Sequence, residues 1–159
     1  MKKIKKINSN NIISIIKFID ENFDEFYYFR DLGWNSTNIE NQLNKNINFS
    51  LGYFQENNLV GLLIGDIIKF DQKKDLELYI LFVSKNMRRN KIATEMLKYV
   101  DTNIINLSRI FIEVAETNIN AIKFYEKNNF VFSNFRHNYY KINNININAK
   151  CYFKKLNYE

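Results

Sequence analysis

Ile12, Ile15, Ile16 and Ile19 recur at three- and four-residue intervals, which predicts a helix over Asn11 to Asn22. The basic start of the chain (Lys2, Lys3, Lys5, Lys6) leads straight into that run, so Met1 to Asp20 reads as a first amphipathic helix. Lys17 and Asp20 cut the apolar run short and no small-residue cleavage site follows, which argues against a signal peptide. Ser36 to Asn44 predicts a short second helix with Ser36 or Thr37 as N-cap. Phe49 to Phe54 and Leu59 to Phe70 read as a hairpin around Glu56-Asn57-Asn58, where Asn tolerates positive φ. A polar turn over Lys69 to Asp75 leads into a strand from Asp75 to Val83. There Leu76, Leu78, Ile80 and Phe82 alternate with Glu77, Tyr79, Leu81 and Val83. One face is fully apolar and the other nearly so, as in a central strand covered on both sides.

Past a loop from Ser84 to Lys91, Ile92, Met96, Val100 and Ile104 repeat every four residues and predict a helix to about Asn106. Arg109 to Glu116 is a further strand, with Ile110, Ile112 and Val114 on one face. Thr117 or Asn118 caps the next helix, Ala121, Phe124 and Tyr125 share one side of it, and Asn128-Asn129 ends it. Phe130 to Arg136 and Ala149 to Leu156 read as the last strands, joined through Tyr139 to Asn148. The order of elements predicts an α/β fold with a mixed sheet, in one domain over residues 1–159.

Composition narrows the chemistry. The 159 residues include 0 Pro, 4 Gly, 1 Cys and 1 His. Cys151 alone forms no internal disulfide, and with His137 it makes no ordinary zinc site, so no metal is expected. No run of about 18 apolar residues predicts a membrane span. The expected setting is a reducing cytoplasm. Asn, Lys and Ile, all encoded by A- and T-rich codons, are over-used. The net charge of +6 therefore reads equally as affinity for anions and as lysine drift onto a solvated surface. No nucleic-acid recognition motif accompanies it.

Two segments carry chemistry. The first is strand, basic loop, helix: Val83, then Arg88, Arg89, Asn90, Lys91, Ile92 and Ala93. Free N–H groups and the positive dipole end at a helix N-terminus make an anion site. Neither a Walker lysine nor G-x-G-x-x-G is present, which disfavours ordinary nucleotide sites. The second is Ile112-Glu113-Val114-Ala115-Glu116-Thr117-Asn118, followed by Ala121, Tyr125-Glu126 and Asn129-Phe130.

Together these segments resemble the GNAT acetyltransferase superfamily. Arg88 and Ala93 match its acetyl-CoA loop (Arg or Gln, x, x, Gly, x, Gly or Ala), with Lys91 at the first Gly position. Asn118, Ala121, Tyr125, Glu126 and Phe130 match its N-x-x-A-x-x-x-Y-E-x-x-G-F helix, with Asn129 at the Gly position. Arg136, Asn138, Tyr139 and Tyr140 further resemble the R-x-N-Y-Y segment of the RimI-type ribosomal-protein-alanine N-acetyltransferases. Gly33-Trp34-Asn35-Ser36 is similar to their Pro-Trp-Ser segment.

The resemblance implies a sheet split into a V between the Leu76–Val83 and Arg109–Glu116 strands. Acetyl-CoA is the implied acyl donor. Its pantetheine arm would lie near Leu81 and Val83, its diphosphate on Arg88 to Ala93, and Asn118 would bind the arm. Lys91 is expected in ordinary helical φ/ψ, where it costs nothing. Glu113 is the implied base, Tyr125 the proton donor to the leaving thiolate, and a backbone N–H at Leu81 the oxyanion partner. Trp34, Tyr139 and Tyr140 would line the acceptor groove. The implied activity is acetylation of a protein α-amino group, with a ribosomal protein as acceptor. The alternatives are acetylation of a polyamine or aminoglycoside-like amine, and a non-catalytic acyl-CoA-binding module.

Overall fold

A computed structural model describes residues 1–156; residues 157–159 of the expected domain lie outside the described residues. The described chain forms five α-helices and one seven-stranded mixed sheet. The strands are β1 (Lys2–Lys6), β2 (Asn48–Gln55), β3 (Asn58–Phe70), β4 (Lys73–Val83), β5 (Leu107–Ala115), β6 (Val131–Ile142) and β7 (Ile145–Lys155). The helices are α1 (Ile12–Glu21), α2 (Tyr27–Asp31), α3 (Ser36–Leu43), α4 (Ile92–Asn103) and α5 (Ile119–Lys127). Strand order is β1-β2-β3-β4-β5-β7-β6, and only β4 and β5 pair in parallel. No helix among the described residues is long and apolar enough to cross a membrane.

The helices cover both faces of the sheet. On one face Ile92, Met96, Leu97 and Val100 of α4 and Ile122 and Tyr125 of α5 pack on Leu76, Leu78, Ile110, Ile112 and Val114. On the other, Ile15 and Phe18 of α1, Phe26, and Ile39 and Leu43 of α3 pack on Leu62, Ile64, Ile80 and Phe82.

Several boundaries differ from the sequence reading, each for a physical reason. Lys2–Lys6 is an edge strand on β2, not the start of a helix; Ile4 alone turns toward the core while the lysines stay in solvent. Charged lysines on an exposed edge discourage pairing with another chain. The α3 cap is Asn35, whose Oδ1 accepts the Asn38 N–H at 2.9 Å, rather than Ser36 or Thr37. The helix α4 ends at Asn103, three residues early. Tyr139 to Asn148 is no loop: β6 and β7 run on to a tight turn at Asn143-Asn144, both at positive φ.

The largest correction concerns β4. Ile64 pairs with Ile80 but Gly65 pairs with Leu78, so Tyr79 is an extra residue, a bulge. The bulge shifts the alternation. Leu76 and Leu78 belong to the α4/α5 face, whereas Ile80 and Phe82 belong to the α1/α3 face. The predicted single apolar face is therefore two half-faces. Gly65 permits this: a Cβ there would meet the Glu77 carbonyl oxygen at 2.5 Å.

Candidate active site

The parallel β4–β5 ladder runs from Lys74–Leu107 to Leu78–Ile112 and ends. Beyond it β4 pairs only with β3, and Glu113 to Ala115 pair only with β7. The sheet is thus split where the bulge sits. At the closed end Arg109 grips the buried Asp75 in a fork, Nη2 to Oδ2 at 2.6 Å and Nε to Oδ1 at 3.2 Å. At the open end the β4 edge over Leu81 and Val83 lacks a strand neighbour, and buried backbone groups there require a partner.

That edge leads to the N-terminus of α4, whose first N–H groups have no intrahelical acceptor. Arg89, Asn90 and Lys91 are exposed there and Ile92 is buried beneath them. Asn90 Nδ2 ties the loop by donating to the Met87 carbonyl at 3.2 Å. Arg88 is turned away from the loop: its Nε donates to the Val83 carbonyl at 3.1 Å and its Nη1 to Glu25 at 3.0 Å. Lys85 joins the same carboxylate at 3.2 Å, and these two cations hold the Glu25 pKa below its ordinary value.

Lys91 departs from the expected geometry. It caps α4 at φ 61°, ψ 11°, in the left-handed region, and Arg89 also has positive φ (64°). The family's glycine position is therefore a conformational requirement, which Lys meets at a cost of about 1–2 kcal/mol. Asn129 at the other glycine position has φ 67°, a conformation Asn tolerates better. Asn118 caps α5, its Oδ1 accepting the Ala121 N–H at 3.3 Å.

On the α1/α3 side of the split lies a cavity of about 790 Å³. Glu113, Trp34, Tyr139 and Tyr140 all line it, so three distant parts of the chain meet in one place. Trp34 reaches it from the α2–α3 turn and packs on Tyr79, with ring centroids 5.7 Å apart. Glu113 accepts a 2.6 Å hydrogen bond from Arg136 Nη1. The Arg136 guanidinium in turn lies 3.9 Å from the Tyr139 ring centroid. Burial, then the Glu113 charge, raises the pKa of both Tyr139 and Tyr140.

Tyr125 lies across the sheet from this cavity, buried among Phe124 and Phe130 at 5.3 Å each. Burial alone raises the Tyr125 pKa well above the ordinary tyrosine value near 10, which keeps its proton in place at neutral pH.

Sequence reasoning missed Glu77, Tyr79 and the positioning contact of Arg136. Glu77 left a signal: it is the one charged residue between Leu76 and Val83. Tyr79 left none, because a bulge is invisible to alternation counted at period two.

The profile of the Acetyltransferase (GNAT) family matches residues 15–130. None of the curated proteins matches the chain by sequence. Among solved structures, the ribosomal-protein-S18-alanine N-acetyltransferase from Escherichia coli superposes with a TM-score of 0.81 at 15% identity, over 100% of this chain and 96% of that one. Arabidopsis thaliana NAA60 in complex with a bisubstrate analogue gives 0.78 at 17% identity, over 99% of each chain. Ard1 from Thermoplasma volcanium gives 0.75 at 17%, over 99% of each. The split sheet, the exposed helix N-terminus and the family match over most of the length agree, and the chain belongs to the GNAT acetyltransferase family, enzymes that transfer an acyl group from acetyl-CoA.

Proposed function

We propose that the protein acetylates the α-amino group of a protein N-terminus, with a ribosomal protein as acceptor, in the cytoplasm. The observation that carries this reading is the single cavity holding Glu113, Trp34, Tyr139 and Tyr140 at the mouth of the sheet split. Its volume of about 790 Å³ is that of an ordinary ligand site, and its tyrosines offer hydrogen-bonding groups to a peptide backbone. Two of the similar structures, the alanine N-acetyltransferase and the NAA60 bisubstrate complex, support the same class.

Acetyl-CoA is the donor. Its diphosphate is assigned to the N–H groups and cations of Arg88 to Ala93, with Arg88 itself shaping the loop through Val83 and Glu25. Its pantetheine arm takes the place of the absent strand along Leu81 and Val83, beside Asn118. An α-amine has a pKa of about 7.7–8.0, so part of it is neutral at pH 7. The amine nitrogen attacks the thioester carbonyl and a C–N bond forms. A backbone N–H in the gap, at Leu81, meets the oxyanion. The C–S bond breaks, Tyr125 protonates the departing thiolate, and the ammonium proton passes through water to Glu113. Arg136 keeps the Glu113 carboxylate oriented toward the cavity.

The test is mass spectrometry of an Ala-starting ribosomal peptide incubated with enzyme and acetyl-CoA. A gain of one acetyl group is expected. No gain on the peptide, beside robust acetylation of a polyamine or aminoglycoside, overturns the reading in favour of a small-amine enzyme.

A further inference from the structure

Four charged side chains line the acceptor cavity: Lys45, Glu77, Glu113 and Arg136. Three of them are matched. Lys45 Nζ lies 3.3 Å from Asp66, and Arg136 lies 2.6 Å from Glu113. Glu77 is different. Among the described residues no cation stands within ion-pair distance of it. Its Oε2 accepts from the Tyr79 hydroxyl at 3.0 Å, but that hydroxyl is also 3.0 Å from Asp66 Oδ2. A phenol carries one proton, so the two carboxylates share a single donor. Asp66 has two further donors in Gln42 and Lys45, and Glu77 has none. Glu77 is therefore the uncompensated anion of the cavity.

Its surroundings suit a cation. Phe111 lies directly across on β5, and the Trp34–Tyr79 ring pair forms the adjoining wall. Aromatic faces attract ammonium and guanidinium groups, more so away from bulk water. The spacing is also informative. Glu113 lies two residues beyond Phe111, so the Glu77 and Glu113 backbones are roughly 8 Å apart, from a rise of about 3.3 Å per residue and strands about 4.8 Å apart. An extended Lys or Arg side chain spans that distance from a neighbouring α-amine.

We propose that Glu77 forms a cation subsite, and that the preferred acceptor carries a second positive charge, a Lys or Arg side chain within its first two residues. The inference rests on the reading that the acceptor amine binds at Glu113. A polyamine presents the same pair of charges, so the test includes one.

The experiment measures kcat/KM by thiol release for hexapeptides beginning Ala-Lys, Ala-Arg, Ala-Ser and Ala-Glu, and for spermidine. It uses the wild type, Glu77→Gln and Glu77→Lys. Acetyl-CoA affinity by calorimetry verifies that each variant is folded. The basic peptides should exceed Ala-Ser by about tenfold. Glu77→Gln should bring that ratio to within twofold of one, and Glu77→Lys should turn the preference toward Ala-Glu. Equal rates for Ala-Lys and Ala-Ser in the wild type overturn the subsite while leaving N-terminal acetylation standing. A basic preference that survives Glu77→Gln also overturns it. Glu77-dependent acetylation of spermidine with none on any peptide keeps the subsite and removes the peptide reading. Acetyl-CoA binding without turnover on any acceptor removes both.

Discussion

At the scale of single residues, the proposed roles of Tyr125, Glu113 and Arg136 each make a separate prediction. Tyr125 keeps both ring neighbours when its hydroxyl is removed, so Tyr125→Phe should lower kcat by about 10²-fold while leaving the Kd for acetyl-CoA within roughly twofold in calorimetry. An unchanged kcat returns Tyr125 to the core. The direction of its pKa shift has a consequence at high pH. A phenol buried in the folded state loses its proton at higher pH than in the unfolded chain, whose tyrosines titrate near 10. The stability linked to it is complete below that value and falls as pH rises above it. The alkaline side of the kcat profile should accordingly show no loss from Tyr125 below about pH 10, and a limb at pH 8 would assign the thiolate's proton to another group. Arg136 acts through Glu113. Arg136→Ala should reduce kcat more than it raises the acceptor KM, with partial rescue by Arg136→Lys. A uniform loss in both would make the contact merely structural.

At the scale of elements, strain and packing decide. Lys91, the residue that caps α4, is itself held in a left-handed conformation. Lys91→Gly relieves the steric cost and adds freedom to the unfolded chain, and the first effect is larger. Stability should rise by up to about 1 kcal/mol, a Tm gain of roughly 2–4 °C by calorimetry. Gly65→Ala drives a methyl group into the Glu77 carbonyl and should cost about 1–3 kcal/mol, with loss of activity because Glu77 and Tyr79 move. The elements that the sequence announces are those with an uninterrupted period: α4 by its four-residue repeat, the β2–β3 hairpin by its Asn turn, α5 by its cap and its Asn exit. Those that escaped lack one. Only Ile4 marks β1 as a strand, α2 is a five-residue turn among aromatics, and the half of β6 past Arg136, the end of the strand read there, follows a register shift that erases alternation. The donor loop and α5 are contiguous in sequence and were legible as motifs. The acceptor cavity is assembled from the α2–α3 turn, α3, β4, β5, β6 and β7, and such a meeting has no local signature.

At the scale of the whole molecule, two half-sheets share one short parallel ladder, clamped at its closed end by Asp75 and Arg109. A donor lying in the split bridges both halves, so it binds the folded chain alone. Acetyl-CoA at 100 times its Kd should add about 2.7 kcal/mol, seen as a Tm rise of roughly 5–10 °C. Absence of any shift at saturation would show that the loop does not hold the donor. The β4 bulge adds a last consequence, best put as a matter of parity. Removing Tyr79 by deletion would make β4 a regular strand in which Ile64 still meets Ile80 and Gly65 still meets Leu78. Every apolar residue of β4 would keep its present side, because the deletion cancels the one-residue offset. Such a variant should remain folded by circular dichroism yet transfer no acetyl group. The sheet, counted as an architecture, has one residue too many there, and the proposed site is built around that surplus.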